Sequence, residues 1–123
     1  MRNLNELSVN ELGKCISLMA VPAENIFKDK AFTSALDEYR ANVTDKTTVA
    51  EGLSLFAVKL FPLLVNGKHE KDVYMILAAI DGVSIDVIKA KSGAEIMQDM
   101  FRAFVLDGDV AAIFRPMCEA WSE

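Results

Sequence analysis

The chain contains few of the residues from which active sites are built: among its 123 residues are one histidine, two cysteines and one tryptophan. A zinc site takes three or four His, Cys or acidic ligands at short spacings, and His69 lies far from both Cys15 and Cys118. A catalytic histidine needs an orienting partner and a nucleophile, but the neighbours of His69 are ordinary helix-start charges. We therefore expect a solvated histidine, no bound metal and no catalytic residues.

Phosphate-binding loops and basic clusters are also missing. The scattered glycines form neither a GxGxxG nor a GxxxxGK[ST] motif. Lys and Arg do not cluster, and the formal net charge is −5, so the phosphate backbone of a nucleic acid is not an expected partner. We expect no enzyme activity, no cofactor and no nucleic-acid partner.

No apolar run has the length of a membrane span. The longest, over residues 53–65, is too short to cross a bilayer and is interrupted by Lys59 and Pro62. Residues 1–7 lack the apolar core of a signal peptide. Both cysteines lie in apolar helical patterns without a CxxC motif, which is typical of reduced, buried thiols. These features favour a cytoplasmic protein without a membrane segment.

What the sequence does contain is a hydrophobic fraction of 52% and repeated helix-start signals. Strict two-residue alternation is absent, so strands are not expected. A capping-box pattern precedes an apolar periodic stretch at Ser8-x-x-Glu11, Thr48-x-x-Glu51 and Ser92-x-x-Glu95. The sequence therefore predicts an all-α fold, with one domain over residues 1–123 and about six to seven short helices.

The apolar stripes place these helices at residues 9–20, 30–41, 49–65, 69–80, 85–90, 93–106 and from 110 onward. Pro22 is expected to end the first helix, because proline restricts the residue before it. Pro62 is expected to kink the last turn of the third helix, and Pro116 to kink or restart the last one. Gly82 is expected to follow the end of the fourth helix, and Ser84 to cap the fifth.

The third helix has more apolar side chains than one buried face requires. A surface helix needs an apolar arc of about 100°, and this helix also has apolar residues outside its main stripe. Either it is the central helix of the domain or its extra face meets a second chain, and the sequence leaves both open. With apolar residues of the last helix, the predicted partner or self-association surface comprises Leu55, Val58, Leu63, Val65, Phe114, Met117 and Trp121.

The stretch over residues 60–88, LFPLLVNGKHEKDVYMILAAIDGVSIDVI, resembles the small tail assembly chaperones of long-tailed, siphovirus-type bacteriophages and prophages. An apolar segment ends at Leu63-Leu64, and a charged corner follows at residues 68–71. A helix that ends with residues 76–80 then leads to a turn at Asp81 and a new helix start at Ser84. The resemblance extends over residues 55–115, while the N-terminal half is similar only in being helical.

This resemblance implies a helical, non-enzymatic protein that coats the long apolar tape measure protein and is displaced by tail tube subunits. The implied partners are the tape measure protein, the tail tube protein and further copies of the chain. Two alternatives remain. A small helical adaptor or regulatory protein from a bacterial or mobile genetic element would have the same apolar patch on a monomer or dimer. A small enzyme would have a deep pocket with convergent polar groups near His69 or Asp107.

Overall fold

In the part that the structure describes, the chain is built from α-helices and contains no strand, so the all-α prediction is confirmed. The computed structural model describes the backbone of residues 2–107 and 109–121 and the side chains of residues 2–107 and 110–116. The helices are α1 (Val9–Phe27), α2 (Lys30–Asn42), α3 (Val49–Lys59), α4 (Phe61–Val65), α5 (Glu70–Asp81), α6 (Ile85–Lys89), α7 (Gly93–Phe101) and α8 (Asp109–Trp121). None of these described helices is long and apolar enough to cross a membrane.

Capping boxes determine where α1 and α3 begin, as predicted. The Ser8 hydroxyl accepts from the N–H of Glu11, and the Glu11 carboxylate accepts from the N–H of Ser8. Thr48 and Glu51 make the same reciprocal pair at α3. Each box satisfies two backbone donors that have no partner inside the helix.

Of the residues predicted to end or cap helices between α5 and α7, some behave as expected and one does not. Gly82 ends α5 in the left-handed conformation, with φ of 69°, as predicted. Ser84 occupies the N-cap position of α6 but makes no side-chain cap hydrogen bond, so its predicted capping role is wrong. At α7 the Ser92 hydroxyl accepts from the N–H of Glu95 at 3.2 Å.

Helix α1 is longer than predicted, because it continues through Pro22. A proline inside a helix removes one hydrogen bond and costs about 3 kcal/mol. The turn that follows buries Ala23, Ile26 and Phe27 in the core. Since burial of one large apolar side chain contributes about 1.5–3 kcal/mol, this packing offsets the cost of Pro22. The predicted helix end was wrong because the proline rule is local and the compensation is tertiary.

The predicted third helix is two helices, α3 and α4, which meet at Leu60. Leu60 has φ of −113° and ψ of −44°, and α3 ends there. Pro62 lies in the first turn of α4, where its missing N–H would have no helical partner. Pro62 thus belongs to the start of a new helix, whereas Pro116 lies inside the continuous α8.

The predicted helix over residues 93–106 is α-helical only as far as Phe101. A π-helical turn, Arg102–Leu106, follows it. At its end the N–H of Asp107 donates to the carbonyl of Arg102, five residues back, at 2.9 Å. Phe104 is fully buried in this turn, and its ring packs against those of Phe27 and Phe32.

Helix α5 lies at the centre of the core. Seven of its 12 residues are buried, and Val73, Ile76 and Leu77 are completely so. Helices α1, α4, α6 and α7 all pack against it. Helix α3 buries only Gly52 and Phe56 along its length. Of the two interpretations left open for the third predicted helix, the central position is therefore excluded.

Candidate interaction surfaces

The residues predicted to meet a partner are not equally accessible. On α3, Leu55 is 36% exposed and Val58 is 69% exposed. Leu63 and Val65 of α4 are half-buried and pack against the core. Among these four residues, Val58 therefore presents most of its apolar side chain to solvent, and Leu55 presents about a third of its own.

The predicted contribution of the last helix differs from what the structure shows. Phe114 is buried in the core together with Val110, one turn earlier on α8. Phe114 therefore does not belong to an accessible surface, because this face of α8 covers the domain interior. The side chains of Met117 and Trp121 lie outside the described residues.

We call Leu55 and Val58 the α3 face. They lie three residues apart and so share one side of the helix. The other side of α3 is tightly held, since Phe56 is fully buried and the Tyr39 hydroxyl donates to the carbonyl of Gly52 at 2.7 Å. The α3 face is thus a narrow apolar surface on a well-anchored helix.

A second apolar surface, which the sequence analysis did not identify, is a groove between α1 and the corner that joins α5 to α6. The groove encloses about 470 Å³ and is open to solvent. Its apolar lining includes Cys15, Leu18, Met75, Ala78, Val83 and Ile85. Arg2, Glu11, Lys14 and Ser84 supply polar lining. We call this feature the α1–α5 groove, and its volume lies in the range of known ligand-binding clefts.

Exposed apolar side chains continue the α1–α5 groove outward. Leu18, which lines it, is 63% exposed, and Val21 stands equally exposed three residues further along α1. Val83, which lines the opposite wall just before α6, is exposed, and so is Val87 within α6. Single exposed apolar residues are common, but a group that continues a cleft marks an interaction surface.

The sequence held one signal for this surface. Leu18 lies outside the apolar stripe of the first predicted helix, and Val21 follows it three residues later, just beyond the predicted helix end. Leu55 and Val58 were predicted as surface residues from the same kind of signal, apolar residues outside the main stripe of a helix. The groove itself could not be predicted, because its second wall comes from residues about sixty positions later in the chain, such as Met75 and Val83.

Arg2 closes one end of the groove by capping α5. Its Nε donates to the carbonyl of Ile80 at 2.6 Å, and a terminal nitrogen donates to that of Ala79 at 3.3 Å. These carbonyls lie in the last turn of α5, where a cation is also favoured by the helix dipole. The backbone N–H of Arg2 donates to Asp81 at 3.0 Å. A Cβ on Gly82 would lie 2.8 Å from the Arg2 guanidinium, which would have to shift, and the φ of 69° at this position favours glycine in any case.

The groove is lined by two cationic side chains, Arg2 and Lys14, and by one acidic side chain, Glu11. Glu11 forms an ion pair with Arg2 at 3.2 Å, and a hydrogen bond from Ser8 lowers the pKa of Glu11. Lys14 makes no hydrogen bond or ion pair with the described residues, but its positive charge also lowers the pKa of Glu11. Burial raises the pKa of the Cys15 thiol, which therefore stays protonated and adds no charge. The charged lining of the groove therefore carries a net positive charge.

His69 is buried rather than solvated, so the prediction for it is wrong. It is 3% exposed, with Nε2 lying 2.8 Å from an oxygen of Asp29 and Nδ1 3.2 Å from an oxygen of Asp72. Asn25 donates to the other oxygen of Asp72 at 3.1 Å. Asp29 is also the N-cap of α2, where it accepts from the N–H of Ala31. The ring therefore links the starts of α2 and α5, a contact that no local pattern encodes.

The contacts of His69 with Asp29 and Asp72, which we call the histidine cluster, connect two helices. A hydrogen bond from His69 is the largest cause that lowers the pKa of Asp29, and Lys68, 3.4 Å away, acts in the same direction. Every buried side-chain nitrogen and oxygen in the described part of the chain has a hydrogen-bond partner. Within that same part, no three His, Cys, Asp or Glu side chains are grouped so as to hold a metal ion. The α1–α5 groove is lined by neither His69 nor Asp107.

Comparisons of the chain with protein-family models, with curated proteins and with solved structures found no match.

Proposed function

We propose that this chain is a non-enzymatic tail assembly chaperone of a long-tailed bacteriophage or prophage. It coats the tape measure protein and is displaced by tail tube subunits. The observation that carries the proposal is that apolar side chains remain exposed on two surfaces formed by different helices, the α1–α5 groove and the α3 face. The resemblance over residues 60–88 supports the choice of partner.

Two separate surfaces suit a protein that coats a long partner. One surface binds the client, and the other contacts the next copy of the chain along it. A head-to-tail contact of that kind joins different patches on neighbouring copies and extends into rings or spirals. We assign the α3 face to contacts between copies, so the chain is a homo-oligomer when it acts.

The apolar surfaces are small enough that one copy of the chain would bind its partner weakly and could be displaced. Burial of one large apolar side chain contributes about 1.5–3 kcal/mol, while association costs about 4–15 kcal/mol in lost freedom and further ordering. A few residues such as Leu18 and Val21 therefore support client binding that is weak at each copy and is multiplied along a long client. Tube subunits can then displace each copy separately.

The charge and the thiol chemistry support this setting. The net charge of −5 keeps coated assemblies dispersed by mutual repulsion. Cys15 is a free, buried thiol, in keeping with the reducing bacterial cytoplasm in which tails are assembled.

Co-expression tests the proposal. The chain is produced with and without a bacteriophage tape measure protein, and the soluble fraction is sized by light scattering at several concentrations. We expect a large soluble complex that loses the chain when tail tube protein is added. If the tape measure protein stays insoluble and the chain stays a monomer or dimer at every concentration, the proposal is contradicted and a helical adaptor or regulatory protein is favoured.

A further inference from the structure

We infer that the α1–α5 groove binds an amphipathic helix that carries acidic residues beside its apolar stripe. The identity of the client, the tape measure protein, rests on the proposed function. The choice of surface and the chemistry of the bound helix rest on the described residues alone.

The shape of the groove suits a helix. One wall is α1 and the other is the end of α5 with the start of α6, so a third helix can lie between them. The small side chains Cys15 and Ala78 line the groove, which leaves depth for a side chain as large as leucine. Met75 lines it too, and its flexible thioether can adjust to different apolar side chains.

Helix α1 also allows a close approach beyond the groove. Gly13 lies in its middle, and a Cβ placed there would have no atom within 4 Å. A glycine at such a position weakens the helix relative to alanine, and no described contact uses the space it leaves. A shallow depression lined by Gly13, Ser17 and Leu18 continues the surface here. A helix lying across α1 can therefore approach its backbone directly.

The charge of the groove lining favours a bound helix that carries acidic residues. The charged side chains that line the groove are Arg2, Glu11 and Lys14, so the lining has one more positive than negative charge. The guanidinium of Arg2 is engaged by Glu11 and by the end of α5, whereas Lys14 makes no hydrogen bond or ion pair in the described part of the chain and acts on Glu11 only through its charge. A carboxylate on the incoming helix can pair with Lys14, and a lysine there would be repelled. Surface pairs of this kind contribute little affinity, so Lys14 determines preference and orientation more than strength.

Fluorescence anisotropy with two labelled helical peptides tests the inference. Both have leucine at i, i+3, i+4 and i+7, and they carry either glutamate or lysine beside that stripe. We expect the glutamate peptide to bind more tightly, and Leu18→Asp to weaken it at least about tenfold through loss of one apolar contact. Lys14→Glu should reverse the preference between the peptides. The matched control Val58→Asp, on the α3 face, should leave binding unchanged, with helicity of all variants checked by circular dichroism.

Gly13→Ala provides a second test that misfolding cannot mimic. A helix without a partner is stabilised by this change, because alanine is the better helix former. We therefore expect a higher midpoint of thermal unfolding together with weaker binding of the glutamate peptide. Equal binding by Gly13→Ala would overturn the close approach over α1.

Three results would overturn the assignment of the groove. In the first, the glutamate peptide does not bind. In the second, Leu18→Asp and Val58→Asp lose peptide binding equally. In the third, Leu18→Asp loses self-association in the absence of any peptide. The last would make the groove a contact between copies of this chain.

Failure of the inference and failure of the proposed function remain distinguishable. If Leu18→Asp still forms a full complex with the tape measure protein, the groove assignment fails while the chaperone function stands. If the peptide binds in the groove but no tape measure complex forms with the wild-type chain, the function fails while the groove remains a helix-binding site.

Discussion

Helices α3 and α5 reverse the usual relation between composition and burial. Helix α3 has two charged residues, Glu51 and Lys59, and buries only two of its 11 residues. Helix α5 has four charged residues and buries seven of its 12. The less polar helix is therefore the more exposed one. Burial follows from the number of helices packed around an element, and an apolar residue that gains no neighbour inside the chain is available to another molecule.

The two helices also differ in how they are anchored. The start of α5 is fixed by His69 between Asp29 and Asp72, and its end by Arg2. Helix α3 has a local capping box at its start and the hydrogen bond from Tyr39 to Gly52 on its inner side. Its outer side, the α3 face, makes no such connection in the described structure. The following variants test this contrast, from the largest expected effect to the smallest.

Truncation in α5 should have the largest effect. Leu77 is completely buried, so Leu77→Ala removes apolar contacts and leaves a cavity. We expect the free energy of unfolding to fall by about 2–5 kcal/mol. Val58→Ala on α3 is the matched control, with an expected change of about 0.5 kcal/mol or less. Urea unfolding measures both, and similar losses in the two variants would show that the burial contrast is false.

Removal of the histidine should have the next largest effect. His69→Ala leaves the carboxylates of Asp29 and Asp72 without the ring that lies between them. We expect a loss of about 1–3 kcal/mol, because partly buried acceptors lose their partner. His69→Gln keeps a donor and should recover part of this loss. An unchanged unfolding free energy in His69→Ala would show that the cluster does not hold the start of α5.

The same cluster predicts a pH dependence. Hydrogen bonding to His69 holds the pKa of Asp29 below its ordinary value of 3.8. The ionised carboxylate therefore stabilises the fold fully above that value, and this contribution is lost as the pH falls through the lowered, folded-state pKa. Asp29→Asn retains an oxygen for the N–H of Ala31 but has no charge to titrate. We expect Asp29→Asn to lose less stability than the wild type between neutral and strongly acidic pH, and parallel curves would contradict the assignment.

The smallest effect on stability is expected on the α3 face. Leu55→Asp and Val58→Asp together should leave the helical circular dichroism signal intact and lower the unfolding free energy of the monomer less than Leu77→Ala does, because Val58 is 69% exposed and Leu55 is 36% exposed. They should nevertheless abolish self-association in light scattering. Ser54→Asp, on the same helix but polar to begin with, serves as the control. Loss of helicity in the double variant would show that these side chains belong to the core.

Features encoded locally were predicted well. The capping boxes at Ser8 and Thr48, and the left-handed glycine at Gly82, depend on a few neighbouring residues and were read directly from the sequence. The continuation of α1 through Pro22 was missed because distant residues supply the compensating burial. The π-helical turn around Phe104 was missed because it serves an aromatic cluster formed by α1 and α2.

The candidate surfaces also differ in whether local sequence or tertiary packing determines them. Leu55 and Val58 were identified because an apolar excess on one helix is visible in the sequence, and they are exposed in the structure. Phe114 was assigned to the same surface although it is buried, because an apolar residue looks the same in sequence whether it packs inward or outward. The groove beside Leu18 was missed because its two walls are distant in the chain.

The most direct test of the central claim measures the accessibility of individual methyl groups. Leucine and valine methyls are labelled for NMR, and their relaxation by a soluble paramagnetic agent is compared in the isolated chain and in its complex with the tape measure protein. We predict that the methyls of Leu18, Val21 and Val58 are strongly relaxed in the isolated chain and protected in the complex, while those of Val73 and Leu77 are protected in both. Methyls of Leu18, Val21 and Val58 that remain equally accessible in the complex would contradict the claim that these surfaces serve to cover another chain.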